Sequence, residues 1–307
     1  LSPTLQRVEK AGILLAVTLP FLATLYAIVL LWNRMVSWTD IALMLSLYIV
    51  SGLGITMGFH RMLVHRSFEA HPVLRFILLA CGCLALEGTP IVWGATHIKH
   101  HAHSDTEEDP HSPLRGFFHA HLGWLFRGMQ ADRALWGKRF DNDRMAQFFS
   151  TTFFFWVGLG LLIPYLIGGW HGLLWGGFVR IFITHHVTWS VNSISHIFGG
   201  RMFDTPDTSR NNFVVGVLAM GEGWHNNHHA FPRSAFHGLL WWQIDLSGYL
   251  IRLFEKLGWV KNVWRIPQET LEARLIKDAR AMRGEAAEKE ETRRKRHEIR
   301  RKAKTHV

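Results

Sequence analysis

The sequence predicts an all-α integral membrane protein with four transmembrane helices in two hairpins and a cytosolic helical cap. Three observations lead there. Apolar runs of membrane-spanning length recur along a chain that is 48% apolar and carries 14 Trp and 21 Phe. Lys and Arg fall almost entirely to one side of those runs. Histidines gather in clusters where the runs end. At 307 residues the chain is long enough for two soluble domains, but with this composition length does not count domains.

The first span is residues 11–32, 22 positions without a charge, enough to cross the hydrocarbon core, which needs about 20. A signal peptide is the competing reading, but its apolar core is only about 7–15 residues. A short turn with interfacial Trp32 and Trp38 leads to a second span over residues 41–59, broken only by Gly, Ser and Thr, and the two form a hairpin. Residues 74–93 are apolar but contain Glu87, Gly88 and Pro90. A carboxylate in lipid costs several kcal/mol unless paired, so a re-entrant or interface-lying helix pair is expected there. After a polar stretch, residues 148–170 and 172–191 supply the third and fourth spans, the fourth carrying Arg180, His185 and His186 and extending into water.

This divides the chain into a membrane domain at 1–258, with its cap at 60–147 and 192–258, and a basic tail at 259–307. Residues 238–260 mix aromatic and aliphatic residues with Asp245, Arg252, Glu255 and Lys256, as in an amphipathic helix lying in the interface. Ten Lys/Arg lie between His60 and Gln147; Arg7, Lys10 and the tail share their side, and only Arg34 lies opposite. Both termini and every histidine cluster are therefore expected in the cytoplasm. Of the formal charge of +10, the stretch from Arg293 to Lys304 holds +7, from eight Lys/Arg and one Glu. The body keeps no basic stripe for nucleic acid, and the tail suits anionic lipid. Cys81 and Cys83, two apart in an apolar run, read as packing residues.

The chemistry lies in the histidines. His60 and His65 stand in GFHRMLVHRSF, His97, His100 and His101 in HIKHHAHSDTEEDP, and His225, His228 and His229 in GEGWHNNHHAFP. Neutral imidazole suits iron, zinc, copper or nickel, and three clusters exceed what scattered surface histidine explains. On a helix the members of each HxxHH set share one face, and such a set can divide between two metals. His60 and His65 diverge by about 140° on a regular helix and reach one centre only from a helix end or by clasping it. Asn192 and His196 are four apart and face the same way, a pairing more often structural. Tetrahedral zinc takes four ligands, and the HExxH pattern is absent. Carboxylate-built di-iron bundles use Glu and ExxH pairs, scarce here. A di-iron centre with all-nitrogen ligands fits best, its reduced iron using O2 to attack an unactivated C–H bond. Asp105, Glu107, Glu108 and Asp109 lack calcium-loop spacing and are better placed to orient ligand imidazoles. His103 and His111 read as supports of that loop, whereas His71, His119, His121, His171, His185, His186 and His237 show no ligand spacing.

HRMLVH, HIKHH and HNNHH, in this order and with these separations, resemble the histidine boxes of the membrane fatty acid desaturases, in the Δ9 acyl-CoA and acyl-lipid (stearoyl-CoA desaturase-like) branch. HSDTEEDPHSP, NSISHIFG and GEGWHNNHHAFP extend the match, which covers roughly residues 60–258. The resemblance implies a four-span enzyme whose cap holds two irons. It implies His60, His65, His97, His101 and His229 on one metal, His100, His196, His225 and His228 on the other, and Asn192 acting through a water. The implied reaction uses O2 and two electrons to place a cis double bond in a long saturated acyl chain, most readily an acyl-CoA, with an acyl-lipid as the alternative. Regiochemistry would come from an acyl tunnel, with Trp93, Thr188 and Trp189 as candidate walls. A fused cytochrome b5-like domain is not expected, and electrons are expected from a separate donor such as a ferredoxin with its reductase. A related di-iron fatty acid or alkane hydroxylase shares the boxes, and a histidine-rich metal transporter is the non-enzymatic alternative. Transporters place ligands near mid-membrane, whereas these lie at span ends.

Overall fold

The computed structural model describes residues 3–33, 35–128, 131–276 and 279 and is mainly helical. Among the described residues, three helical stretches are long and apolar enough to cross a membrane: Arg7–Trp32, Trp38–Val64 and Phe153–Ile197. The first is the greater part of α1, Pro3–Trp32. A capping box then opens α2, Trp38–Leu53: the Ser37 hydroxyl accepts from the Asp40 amide while Asp40 accepts from Ser37. Trp32 and Trp38 are the most exposed aromatic residues of this hairpin, as interfacial anchors should be.

α2 continues without a break into a π-helix, Gly54–Val64, every residue of which is buried. Glycine makes this possible. The strand Glu69–Ala70 (β1) leads into α3, Pro72–Cys83, which presses against the π-helix so closely that a Cβ on Gly54 would lie 2.0 Å from the Gly82 nitrogen and one on Gly58 2.8 Å from the Leu78 carbonyl. Phe59, Leu78, Leu79, Phe140, Phe149 and Ile251 fill the core around this contact. α4, Pro90–His103, follows a turn at residues 84–89, so the expected helix pair is present and broken at Glu87–Pro90. Glu87 is partnered by the Trp93 indole N–H and the Thr188 hydroxyl rather than by a cation.

Short helices α5 (Phe117–His121) and α6 (Arg133–Trp136) lead through α7 (Arg144–Thr151) to α8, Phe153–Gly172. The 45-residue stretch that begins there is not straight. Gly169, at φ 61° and ψ −144°, turns the chain back, a conformation glycine adopts without steric cost. A second π-helical segment, Leu173–Val179, then runs beside α8 into α9, Arg180–Ile197. The turn places His171 3.6 Å from Asp40 of the first hairpin.

Arg180 is fully buried and donates to the carbonyls of Gly160, Gly176 and Leu84. His185, one turn on, donates to the Ala85 and Leu86 carbonyls. Together they hold the turn between α3 and α4 against α9.

The remaining helices are α10 (Phe213–Leu218), α11 (His225–Ala230), α12 (Leu246–Lys256) and α13 (Gln268–Arg274). The amphipathic segment is thus helical only from Leu246, where Asp245 caps it by accepting from the Gly248 amide. Of the segment expected as a tail, Val260–Lys261 forms β2 antiparallel to β1, and Leu271 and Leu275 are buried against Met202, Phe203 and Phe231. Its basic stretch at 293–304 lies outside the described residues.

Arg180→Met removes the donor from three buried carbonyls and should destabilise the protein by about 3 kcal/mol. Thermal melting in detergent checks this, and an unchanged melting temperature contradicts the role.

Candidate metal centre

The first box is built by the π-helix. Its i to i+5 hydrogen bond runs from the His65 amide to the His60 carbonyl, 3.0 Å, and stacks positions five apart one above the other. His60 and His65 therefore face the same way, their ring centroids 4.7 Å apart. The divergence expected on a regular helix does not arise, and neither ring has to clasp the centre from the far side.

α4 supplies His97, His100 and His101, and α11 supplies His225, His228 and His229. His60, His65, His97, His101 and His228 each turn one ring nitrogen into a common space, all within 4.8 Å of one another; His100, His196, His225 and His229 form a second such set. His228 Nε2 lies 3.1 Å from His60 Nε2 and 2.9 Å from His101 Nε2. His229 Nε2 lies 3.0 Å from His225 Nε2 and 3.4 Å from His100 Nε2. The division implied by the resemblance is corrected here, because His228 and His229 exchange places. The reason is helical geometry: i, i+4 neighbours share a face. His97 and His101 go to one set and His225 and His229 to the other, while the middle histidine of each box crosses over.

Carboxylates stand behind the rings. Asp109 lies 3.0 Å from His100 Nδ1, Asp105 2.9 Å from His196 Nδ1, Asp207 2.8 Å from His229 Nδ1, and Glu222 2.7 Å from His60 Nδ1. Each fixes a tautomer with Nδ1 protonated and the Nε2 lone pair turned inward. Of the four carboxylates in the loop at 105–109, two serve in this way. Glu107 pairs with Arg115 and Glu108 with His103 at the surface. His111 packs against His100 as a support, centroids 4.3 Å apart. Asn192 lines a cavity beside His60, His97 and His225, one helical turn before His196.

Sequence reasoning missed Asp207, Glu222 and His237. His237 is fully buried, its Nδ1 3.1 Å from the Glu222 carboxylate that also meets His60. Arg61 donates to Glu222 and Asp245, tying the first box to the third. Glu222 lies three residues before His225 in GEGWHNNHH, which gave a local signal; Asp207 and His237 had none.

Burial is the largest influence on these rings and holds His65, His97, His101, His225 and His228 well below their ordinary pKa, with neighbouring imidazoles lowering them further. Burial lowers His229 to about 4. His100 is the exception: burial opposes its charged form, but Asp109 outweighs it and raises the pKa. Burial alone would raise Asp105, Asp109, Asp207 and Glu222, yet their histidine partners hold all four below the usual carboxylate range.

The donor set fits resident metal. A neutral imidazole has one donor and one acceptor nitrogen, so Nε2 atoms meeting at about 3 Å in groups of four and five cannot all satisfy one another by hydrogen bonds. The Nδ1 atoms of His225 and His228 are buried without partners among the described residues. Inward lone pairs on neutral nitrogen are what a cation of intermediate softness requires.

A narrow cavity of about 60 Å3 adjoins both sets, reaching from His60, His97 and His225 past Thr56, Trp93, Thr184, Thr188 and Val191 to Tyr48 and Leu218. Trp93 and Thr188 line this cavity, whereas Trp189 packs against His121, His185 and His186.

With this geometry, residues 36–246 match the fatty acid desaturase family. The chain belongs to that family. It is 48% identical over 231 residues to an sn-1 stearoyl-lipid 9-desaturase of Anabaena variabilis, covering 74% of this chain and 85% of that protein. It is 40% identical over 256 residues to an acyl-CoA C20 Delta5-desaturase of Anemone leveillei, 81% of each chain. A hex-5-enoyl-[acyl-carrier protein] acetylenase of Moorena producens is 39% identical over 279 residues, 84% of this chain and 87% of that one. Family membership makes the protein an oxidoreductase of fatty acyl chains.

Rings kept neutral in the fold bind fewer protons than the unfolded chain below about pH 6.5. Their contribution to stability is therefore lost as pH falls from there toward about 4, the value for His229. The depressed aspartates act in the same direction at lower pH, and His100 opposes. The metal-free protein should melt at a lower temperature at about pH 5 than at about pH 7.5; a melting temperature that rises on acidification contradicts the assignment.

Proposed function

We propose that the protein is an O2-dependent desaturase that introduces a cis double bond at C9 of a long saturated acyl chain. The observation that carries this is the pairing of two inward-facing imidazole sets with an apolar cavity, in a member of this family. The 9-desaturase named among its relatives supports the position of the bond, and those relatives between them use lipid, CoA and carrier-protein thioester substrates.

His60, His65, His97, His101 and His228 would hold one iron and His100, His196, His225 and His229 the other, with Asn192 acting through a water. Held there, iron supplies the activation of O2 and the removal of hydrogen from an unactivated methylene, chemistry that side chains lack. One O2, two electrons and two protons take up two hydrogens from adjacent methylenes, giving one alkene and two waters. Asp105, Asp109, Asp207 and Glu222 keep the ligand rings in one tautomer throughout. Trp93 stacks on His97, centroids 5.1 Å apart, and with Thr188 fixes which methylenes lie against the imidazole sets. Position along the cavity, not chemical difference, then decides the site of reaction.

We read the fold as four crossings, with the long stretch from Phe153 folding back at Gly169, and with both termini and the histidine-bearing head in the cytoplasm. Electrons would arrive there from a ferredoxin-like carrier and its reductase.

Expression in an aerobic host should yield a monounsaturated acid with the bond at C9, seen by gas chromatography and mass spectrometry after double-bond derivatisation, and none from His225→Ala. Hydroxy acids in place of alkenes would overturn the reading. Asp109→Ala should weaken iron retention about 10–100-fold, measured by elemental analysis after chelator challenge; full retention contradicts its role behind His100.

A further inference from the structure

We propose that residues 113–127, which follow the second histidine box, lie in the head-group boundary of the bilayer with an apolar face turned to phospholipid.

The segment is a 3-10 turn, Pro113–Arg115, then α5, then a second 3-10 turn, Gly123–Arg127. Its two sides differ sharply. His119, Ala120 and Gly123 are buried, whereas Leu114 is 65% exposed, Phe118 68%, and Phe117 and Phe126 are exposed beside them. Large apolar side chains gathered on one outer face mark a surface that something covers. Arg127 is exposed at the end of the second turn, where a long cationic side chain can reach head-group phosphate.

The depth of the segment follows from its neighbours. α1 runs antiparallel to Leu173–Val179 and α9: Ala27 packs with Trp175 and Val179, and the rings of Phe21 and Phe182 lie 6.2 Å apart. α5 is tied to α9 through His121, whose Nε2 lies 2.9 Å from His186 Nδ1 and whose Nδ1 lies 2.9 Å from the Ser193 hydroxyl. At 1.5 Å per residue those partners are about 6 and 16 Å beyond Phe182, the levels of Val17 and Lys10 on α1. Lys10 is the last charge before the charge-free run at 11–32. α5 therefore stands across the edge of the hydrocarbon rather than above it, and Gly123–Arg127 packs on α1 itself.

Lipid is the occupant this placement selects. α1 also exposes Leu14 and Leu15 at the same level, so the outer face of the segment adjoins the surface by which a candidate span meets the bilayer. Apolar rings at the boundary with a cation beside them are the composition of an interfacial element. The segment also reaches the metal centre's supports, because Trp124 packs on His111, centroids 5.5 Å apart, and His111 packs on His100.

The test places a trifluoromethyl-phenylalanine at position 118 of the full chain, in phosphatidylcholine nanodiscs, and reads its fluorine relaxation. A nitroxide on the lipid near the carboxyl end of the acyl chain should enhance that relaxation severalfold more than one near the terminal methyl or a gadolinium chelate in the water. The same label at Thr106, in the charged loop, should respond to the chelate, and at Leu166, exposed on α8, to the lipid nitroxides. These two positions set the limits, and all three lie at the surface, so the fold is not disturbed. A label at position 118 that responds mainly to the chelate overturns the proposal. So does one that no agent reaches, since a second copy of the chain would then cover the face.

Discussion

Nine buried or half-buried imidazoles with their Nε2 atoms turned toward one another are the constraint on which the rest of this structure depends. Buried polar atoms without partners cost on the order of 1–3 kcal/mol each, and here they are concentrated rather than avoided. Only a rigid surround keeps such a group from rearranging. Asp105, Asp109, Asp207 and Glu222 fix four of the rings from behind, and Arg61 binds Glu222 to Asp245, the cap of α12. The charged groups are thus paired where they are buried, and the neutral lone pairs are left for a cation.

The apolar scaffold serves that arrangement. The π-helix Gly54–Val64 brings His60 above His65, and it is stable because α3 packs on its glycine face at van der Waals limits. π-Helical turns are uncommon and concentrate at functional sites. Arg180 and His185 do related work deeper in the molecule, satisfying the carbonyls of the turn that sets the direction of α4 and therefore of His97, His100 and His101.

Much of this was legible in the sequence, and what was not has physical causes. The apolar runs and the break at Glu87–Pro90 follow from the cost of burying polar backbone and charge, which composition reveals. The second and third boxes were visible because i, i+3 and i, i+4 spacing places rings together on any helix. His60 and His65 looked mismatched because a five-residue interval matches a π-turn and no regular α-helix, and the glycines that permit the π-turn act through α3, a tertiary contact. The exchange of His228 and His229 was latent in the i, i+4 rule, since His225 and His229 share a face. Asp207 and His237 reach the centre only through the tertiary fold, and no local pattern announces them. The packing of Leu271 and Leu275 was masked by the charge around them.

Anomalous diffraction at the iron absorption edge, from crystals of the protein as purified, tests the central claim most directly. The account predicts two iron peaks, one enclosed by His60, His65, His97, His101 and His228 and one by His100, His196, His225 and His229. A single peak, or iron seated on the His60–Glu222–His237 group instead, would contradict it.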